Sequence, residues 1–533
     1  MGQSNSSQPA EQIELSGKRK ALCVLAILIC GFAYWSTRYK ANALLPIIAG
    51  DLDGMTYYSW APMMFSLTGA IAAPFWGKMG DIYGKRNILL ILLGLMVGGE
   101  LLCVIAPNIF VFIAGYAING FGGGAMQGTY MALLGQLFAP TERGKVGGTI
   151  LSIMSIVSLT LPTIAAVIAE SWTWRYVFVL TGIIFLIAFL FVAFTVPNVK
   201  KENINVRIDV IGLITLTIAV SNFLLGLSWA GSKFAWTSPT IIIMLVVSAV
   251  FFVIFFKHES KIPEYAIVST KLLKNKSFLM CGLISVFMTF GLTGVSTYLS
   301  LFMQGVQGIG ATIFSTISIP ASFVGIFMGA FAGFLMDKTK HYKWMLTLAT
   351  SVTVLVMVFF GLMPVSVPII AIVVARIVYN VGGGSWMPSI NTLSAMAYVD
   401  PDDYGVGNGT LYFFASLGNA LSPALLGSVI NSSYTKNIAK YTVDLSLNAD
   451  QTKLVSTSRA LVNNATMQKL AESFTDSAAY EATVTAVKTA LQMSLRSVFF
   501  TAAALIFIGV VASLILKEIP LDQVKYSTTM KKK

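Results

Sequence analysis

Apolar runs long enough to cross a bilayer recur along almost the whole chain. We place them at roughly 21–48, 55–76, 87–106, 108–138, 146–169, 175–196, 208–231, 237–256, 278–304, 311–336, 344–363, 367–398, 407–431 and 495–516. A helix needs about 20 residues to span the hydrocarbon core. Charged residues make up 11% of the chain, whereas a soluble domain carries about 25%. We therefore predict an all-α membrane protein with fourteen transmembrane helices.

The distribution of Lys and Arg predicts the orientation of these helices. The net charge is +13, and most cations lie in alternate short loops, as expected for loops on the cytosolic side. This clustering at span ends favours membrane orientation over nucleic-acid binding. We expect a multi-pass protein of the plasma membrane with both termini cytosolic.

The predicted spans and the charges of their loops divide the chain into segments. We predict a cytosolic tail at 1–20, a six-helix half at 21–200, two inserted helices with a cytosolic loop at 201–277, a second six-helix half at 278–517 and a basic cytosolic tail at 518–533. The second half contains a long polar loop, residues 432–494, which we place outside the cell. That loop is either a capping appendage or an extracellular gate or partner surface.

A short glycine-rich stretch, Gly77 to Arg86, separates the second and third apolar runs. We predict a tight cytosolic turn in which Gly77 and Gly84 let the backbone bend. Asp81 is placed to cap or pair with a helix N-terminus, and Arg86 is a cation of the inner membrane face. A partial second copy of the stretch contains Asp337.

An internal repeat relates the two ends of the chain. The stretch that begins at Tyr116 and ends in three glycines aligns with one that begins at Arg376 and also ends in three glycines, at an offset of 376 − 116 = 260. Pro162 matches Pro423 at an offset of 261. The near-constant offset predicts two related six-helix halves with a two-helix insert between them.

The pattern G-x-x-x-D-x-x-G-[KR]-[KR] between the second and third spans resembles the signature loop of the major facilitator superfamily. The 6+2+6 arrangement resembles its fourteen-span drug:proton antiporters of the EmrB/QacA type. The resemblance implies two pseudo-symmetric halves around a central substrate site, a switch loop formed by Gly77, Asp81, Gly84, Arg86 and Asp337, and proton-coupled efflux. The first span keeps Asn42 and Pro46 of that family's pattern but lacks its aspartate, and Tyr116 stands where the family has an arginine in the fourth span.

Charged residues inside the apolar runs predict where a solute binds, because a charge at the centre of a membrane helix is costly. Arg38, Lys40 and Arg376 qualify. Arg38 and Lys40 point about 200° apart on a helix, so we predict that Arg38 faces the cavity and that Lys40 reaches the outer surface. The predicted substrate-binding residues are Arg38, Tyr34, Asn42, Tyr116, Asn119, Arg376 and Tyr379.

Glu100 is the one carboxylate well inside a predicted span. It is either a proton carrier or an outer-leaflet residue paired with a polar neighbour. Both interpretations are compatible with a buried carboxylate.

These features favour a secondary transporter of a small amphipathic organic solute, with the proton as coupling ion, the lipid bilayer as surroundings and no cofactor, metal or nucleic acid. Proton-coupled efflux is the first hypothesis, and uptake of an organic anion with protons is the alternative. A non-transporting membrane sensor is a further possibility of another class. An enzyme is not expected, since the sequence shows no metal cluster, Ser/His/Asp set or phosphate-binding loop at a bilayer surface.

Overall fold

The structure is a computed structural model that describes most of residues 17–520. Outside the described residues lie 1–16, 55–56, 58–59, 127, 131–132, 134–159, 198–208, 232, 263–269, 400–403, 444, 446, 459, 463 and 521–533, together with some side chains within the helices. In chain order the α-helices are α1 Gly17–Asp51, α2 Trp60–Tyr83, α3 Lys85–Val104, α4 Ile109–Gly123, α5 Thr160–Ser171, α6 Trp174–Thr195, α7 Val210–Trp229, α8 Pro239–Glu259, α9 Thr270–Lys274, α10 Lys276–Leu301, α11 Ala311–Thr339, α12 Lys343–Leu362, α13 Ile369–Tyr379, α14 Met387–Met396, α15 Tyr404–Tyr441, α16 Ala449–Val455, α17 Asn464–Glu472 and α18 Ser477–Ile515.

Fourteen apolar helical stretches account for the predicted spans. Eleven described helices are long and apolar enough to cross a membrane. Three shorter apolar helices, Trp60–Ala73, Thr160–Ser171 and Ile369–Gly384, bring the total to 11 + 3 = 14. Each stretch coincides with one predicted segment, so the prediction of an all-helical membrane protein is confirmed.

The stretch from Gly77 to Arg86 is more helical than expected. Helix α2 continues to Tyr83, α3 begins at Lys85, and Gly84 between them has a φ of 88°. This left-handed backbone conformation is one that glycine adopts readily. Arg86 Nη2 donates a hydrogen bond to the carbonyl of Ala193, 2.5 Å away in the last turn of α6, where a cation is favoured.

The two halves pair their helices in the same way. In the first half α6 packs on α1 and on α3, and in the second half α18 packs on α10 and on α12, their counterparts in the predicted repeat. Each half has its own buried apolar clusters. The segment boundaries themselves stay predictions.

The inserted helices α7 and α8 pack against each other, and α7 lies on the seam between the halves. Helix α7 contacts both α2 of the first half and α15 of the second. One apolar cluster joins all three helices through residues such as Leu67, Val220 and Ala420. Ser432 Oγ also donates to the carbonyl of Gly231, 2.8 Å away, just beyond α7.

The helices that flank the long polar loop extend into it. Within the predicted extracellular segment 432–494, α15 continues to Tyr441 and α18 begins at Ser477. The two helices continue side by side, and Asn437 Nδ2 donates to Ser494 Oγ at 3.0 Å. The backbone hydrogen bonds of a helix form within the helix itself, so polar side chains do not terminate it. We call residues 442–476 the outer segment, and we call the end of the bundle that carries it and Asp51 the outer end, which the charge pattern predicts to be extracellular.

At the opposite end, residues that follow α18 bind the start of α12. The carboxylate of Glu518 accepts hydrogen bonds from the backbone N–H of Tyr342 and of Lys343, at 2.5 and 2.9 Å, and lies 3.0 Å from Nδ1 of His341. Partial burial of Glu518 would raise its pKa, but these hydrogen bonds outweigh burial and hold the pKa of the carboxyl below its usual value. We call this contact the terminal clamp.

Candidate functional site

A buried ion pair lies inside the first half. Lys40 Nζ of α1 binds Glu100 Oε2 of α3, and both side chains are completely buried. The prediction that Lys40 reaches the outer surface is therefore wrong. Two opposite charges that are each costly in the membrane interior offset that cost by pairing.

The carboxylate of Glu100 is bound on both oxygens. Oε1 accepts from Thr37 Oγ1 at 3.0 Å and from Asn119 Nδ2 at 3.3 Å. Oε2 accepts from Lys40 and from Thr181 Oγ1, the latter at 2.8 Å. Four donors around one carboxylate match the hydrogen-bonding pattern of the ionised form, which only accepts hydrogen bonds. We call these five side chains the polar cluster.

Helix geometry brings the polar cluster together from four helices. Thr37 and Lys40 are three residues apart on α1 and so share one face of that helix. Lys40 Nζ also lies 2.6 Å from Thr181 Oγ1 of α6 and 3.9 Å from the centre of the Phe178 ring. The hydroxyl of Tyr116 on α4 donates to the carbonyl of Thr37 at 3.2 Å. Packing of α1, α3, α4 and α6 thus holds the lysine against the carboxylate.

A narrow cleft separates the two halves beside this cluster. From the first half it is lined by residues of α1, α2 and the end of α4, and from the second half by residues of α15: Tyr34, Phe65, Ser66, Gly69, Gly120, Gly123, Gly124, Tyr412, Ser416 and Asn419. Its volume is about 20 Å³, room for about one water molecule. The lining mixes aromatic rings with uncharged hydroxyl and amide groups.

Two helices connect the polar cluster with the cleft. On α1, Tyr34 lines the cleft and Thr37, one turn further, binds Glu100. On α4, Asn119 binds Glu100 and its neighbour Gly120 lines the cleft. Helices α1 and α4 therefore contribute residues both to the polar cluster and to the wall of the cleft.

Arg376 lies in the second half, on α13. Its Nη1 donates to Ser318 Oγ of α11, and its guanidinium lies 5.7 Å from the centre of the Phe314 ring. In the part of the chain that the structure describes, no Asp or Glu forms an ion pair with Arg376. The side chain thus keeps donors for an additional acceptor.

The predicted site residues fall into separate groups. Tyr34 lines the cleft, Glu100 and Asn119 belong to the polar cluster, and Tyr116 is buried beside it. Arg376 and the buried Tyr379 lie in the other half.

The remaining predicted residues belong to the first half or to the switch loop. The side chains of Arg38, Asn42, Asp81 and Asp337 lie outside the described residues, as does the surrounding of Gly77.

Sequence reasoning missed Thr37, Thr181 and the role of Lys40. The available signal was the presence of one lysine and one glutamate within the apolar runs, because two such charges are expected to pair. Ser318 gave no signal of its own, since hydroxyl groups are common on membrane helices.

A bundle of membrane-spanning helices in two similarly packed halves, with a cleft between them and a buried ion pair beside it, is the arrangement of a membrane transporter. The family model described as "Major Facilitator Superfamily" matches residues 27–423. The chain belongs to this superfamily.

Relatives and solved structures agree with this assignment. The chain is 28% identical over 520 residues to "Multidrug transporter protein MdtP" of Bacillus subtilis (strain 168), covering 95% of each chain. It is 26% identical over 401 residues to "Multidrug resistance protein 3" of the same organism, covering 75% of this chain and 77% of that one. A bacterial homologue of the human lysosomal transporter Spinster, in an inward-facing unoccupied conformation, has a TM-score of 0.64 at 13% identity, covering 95% of this chain and 100% of the other. At that identity the structural likeness shows the fold alone.

Proposed function

We propose that the protein exports small amphipathic organic solutes across the plasma membrane in exchange for protons. The observation that carries the proposal is the buried Lys40–Glu100 pair, connected to the cleft by α1 and α4. The names of the two Bacillus subtilis relatives support a multidrug substrate range. The orientation of the termini, with both in the cytosol, is part of the same proposal.

In this mechanism Glu100 carries the proton and Lys40 sets when it does so. The paired state is neutral overall. Protonation of Glu100 would remove its attraction for Lys40 and leave a net positive charge in a dry interior, which is unfavourable. The proton therefore binds when the cluster is open to water and leaves when the pair forms again. Each change moves α1 and α4, which wall the cleft.

The cleft lining supports an amphipathic solute. Tyr34, Phe65 and Tyr412 supply aromatic surface, and Ser416 and Asn419 supply hydrogen-bonding groups. Such a mixture suits ligands that combine a flat apolar body with a few polar atoms. The closed cleft widens as the two halves rock apart.

The test separates solute binding from proton coupling. The purified protein is reconstituted in vesicles that contain a pH-sensitive dye, and ethidium is used as the solute. We expect Glu100→Gln to retain exchange of labelled for unlabelled ethidium while accumulation driven by a pH gradient is lost. The exposed Glu481→Gln is the matched control and should keep both activities. Normal gradient-driven accumulation in Glu100→Gln would show that the proton travels elsewhere.

A second candidate function, uptake of an organic anion with protons, is favoured by Arg376. Its guanidinium contacts Ser318 and Phe314 and has no carboxylate partner among the described residues. A solute carboxylate could complete this arrangement. We expect Arg376→Ala to abolish transport of a probe such as carboxyfluorescein, and Arg376→Lys to retain part of it. Transport of ethidium but not of carboxyfluorescein by the unmodified protein would reject this candidate.

A further inference from the structure

A carboxylate of one half caps a helix of the other half at the outer end. Glu170, near the end of α5, accepts hydrogen bonds from the backbone N–H of Thr312 on Oε1 at 2.9 Å and from Thr312 Oγ1 on Oε2 at 2.5 Å. Thr312 lies in the first turn of α11. The contact therefore joins the predicted first half to the predicted second half.

Helix α11 supplies no cap of its own. Its N-cap residue is Gly310, and no side chain at that position accepts a hydrogen bond from the helix. The first N–H groups of a helix have no partner within the helix and carry partial positive charge. Glu170 performs the role that Asp or Asn at the N-cap usually performs, although it comes from the opposite half.

The outer segment makes a second connection across the same end. Val462, in the short 3₁₀ turn Ala460–Val462, packs against a buried apolar cluster of the first half and against the large cluster of the second. The 3₁₀ turn and α17 both contact α1. The outer segment is joined to the second half through α15 and α18, so its contact with α1 also crosses between the halves.

We propose that two contacts form the outer gate of the transporter: the Glu170–Thr312 hydrogen bonds and the packing of Val462 against the apolar clusters of both halves. Both contacts must separate before a solute can leave to the outer side. Both contacts bridge elements that belong to different halves and lie at one end of the bundle. When the halves tilt apart there, Glu170 can exchange Thr312 for water because it is exposed to solvent. Val462, in contrast, must leave an apolar environment, which favours the closed state.

This inference relies on the proposed transport only in assuming that the halves separate at the outer end. Its test therefore measures exposure of the cleft and not transport. Ser416→Cys places a thiol in the cleft, and a membrane-impermeant maleimide is added from the outer side of intact cells. The native Cys23, Cys30, Cys103 and Cys281 are buried, and the chain without Ser416→Cys gives the background.

We expect Glu170→Ala to increase the labelling rate several-fold, because the closed state loses a cap that bridges the halves. Thr312→Val, which keeps its backbone N–H, should give a smaller increase. Val462→Ala should also increase labelling. The matched control is Glu472→Ala, since Glu472 is an exposed carboxylate of the outer segment that accepts a hydrogen bond from Gln468 of its own helix.

A reversible cross-link tests the same gate in the opposite direction. With Glu170→Cys and Thr312→Cys added to Ser416→Cys, a short bis-methanethiosulfonate cross-linker should reduce maleimide labelling at residue 416 to background, and reduction should restore it. Labelling of Glu170→Ala and Val462→Ala at the rate of the Glu472→Ala control would overturn the proposal. A cross-linked protein that is still labelled at residue 416 would overturn it as well, whereas failure of proton coupling alone would affect only the proposed function.

Discussion

At the scale of single residues, the ion pair between Lys40 and Glu100 joins two helices in the interior of the first half. An isolated charge buried among membrane helices is costly, and the pairing of Lys40 with Glu100 offsets most of that cost. Thr37, Thr181 and Asn119 complete the coordination of the carboxylate. The ion pair thus stabilises the first half, and in the proposed function it also acts as the switch; mutation can separate these two roles.

Replacing Lys40 by Met should be much more harmful to stability than replacing both charges. Lys40→Met leaves Glu100 buried without its cation, and breaking one side of a buried ion pair costs about 3–5 kcal/mol. The double variant Lys40→Met with Glu100→Gln leaves no unpaired charge and should regain most of the lost stability. Thermal unfolding in detergent measures this difference. A double variant as unstable as the single one would show that the ion pair is not the source of the loss.

The same residues show where sequence reasoning fails. Composition and helix length predict that Lys40 lies in the membrane, and helix periodicity predicts that Arg38 and Lys40 face in different directions. Neither method identifies what Lys40 faces, because its partner lies 60 residues away on another helix. The direction of a charged side chain in a bundle depends on which helices are neighbours, and that is a property of the folded chain.

At the scale of elements, the interrupted helix near Arg376 is the most unusual feature of the second half. Helix α13 ends at Tyr379 and passes into a π-helical turn, Asn380–Gly384. Within this turn Gly383 has a φ of 144°, and an added Cβ would lie 2.2 Å from the Cβ of Ala349 on α12. The turn thus depends on glycine both for its backbone conformation and for the close approach of α12.

Gly383→Ala should therefore distort the π-helical turn, lower the melting temperature in detergent and impair transport. The matched control is Gly329→Ala on α11, where an added Cβ meets no atom within 4 Å. Because glycine is a poor residue for a helix interior, the control should be neutral or slightly stabilising. Equal melting temperatures for the two variants would contradict this account of the turn.

The terminal clamp predicts a pH-dependent contact outside the membrane. The pKa of Glu518 is lowered in the folded protein. A carboxyl of this kind stabilises the folded state above its unfolded pKa, about 4.3 for Glu, and loses that contribution as the pH falls through its folded pKa. The clamp should therefore be intact at neutral pH and weaken only as the pH falls below the ordinary pKa of a Glu carboxyl.

Hydrogen exchange provides the measurement for the clamp. At neutral pH, Glu518→Ala should accelerate exchange of the Tyr342 and Lys343 amides, which donate to Glu518. Lys517→Ala is the control, since Lys517 contributes its backbone carbonyl to the hydroxyl of Tyr398. Unchanged exchange in Glu518→Ala would mean that the amides are protected by another group.

At the scale of the whole molecule, the repeated apolar runs predicted where apolar helices lie in the described chain, because crossing a bilayer requires a long apolar helix; eleven described helices reach that length and three predicted spans are shorter apolar helices. The extent of the helices beyond the bilayer was not predictable in this way. Helices α15 and α18 continue to Tyr441 and from Ser477 because they pack on each other, and no bilayer limits their length there. The internal repeat likewise indicated paired halves but gave no information about the cleft between them.

The position of α7 limits how this protein can change shape. Helix α7 contacts both α2 and α15, so it bridges the two halves along one side of their interface. Tilting of the halves about that flank preserves the apolar contacts of α7, whereas direct separation of the halves would expose them. We therefore expect the two halves to tilt about this flank when the protein changes shape.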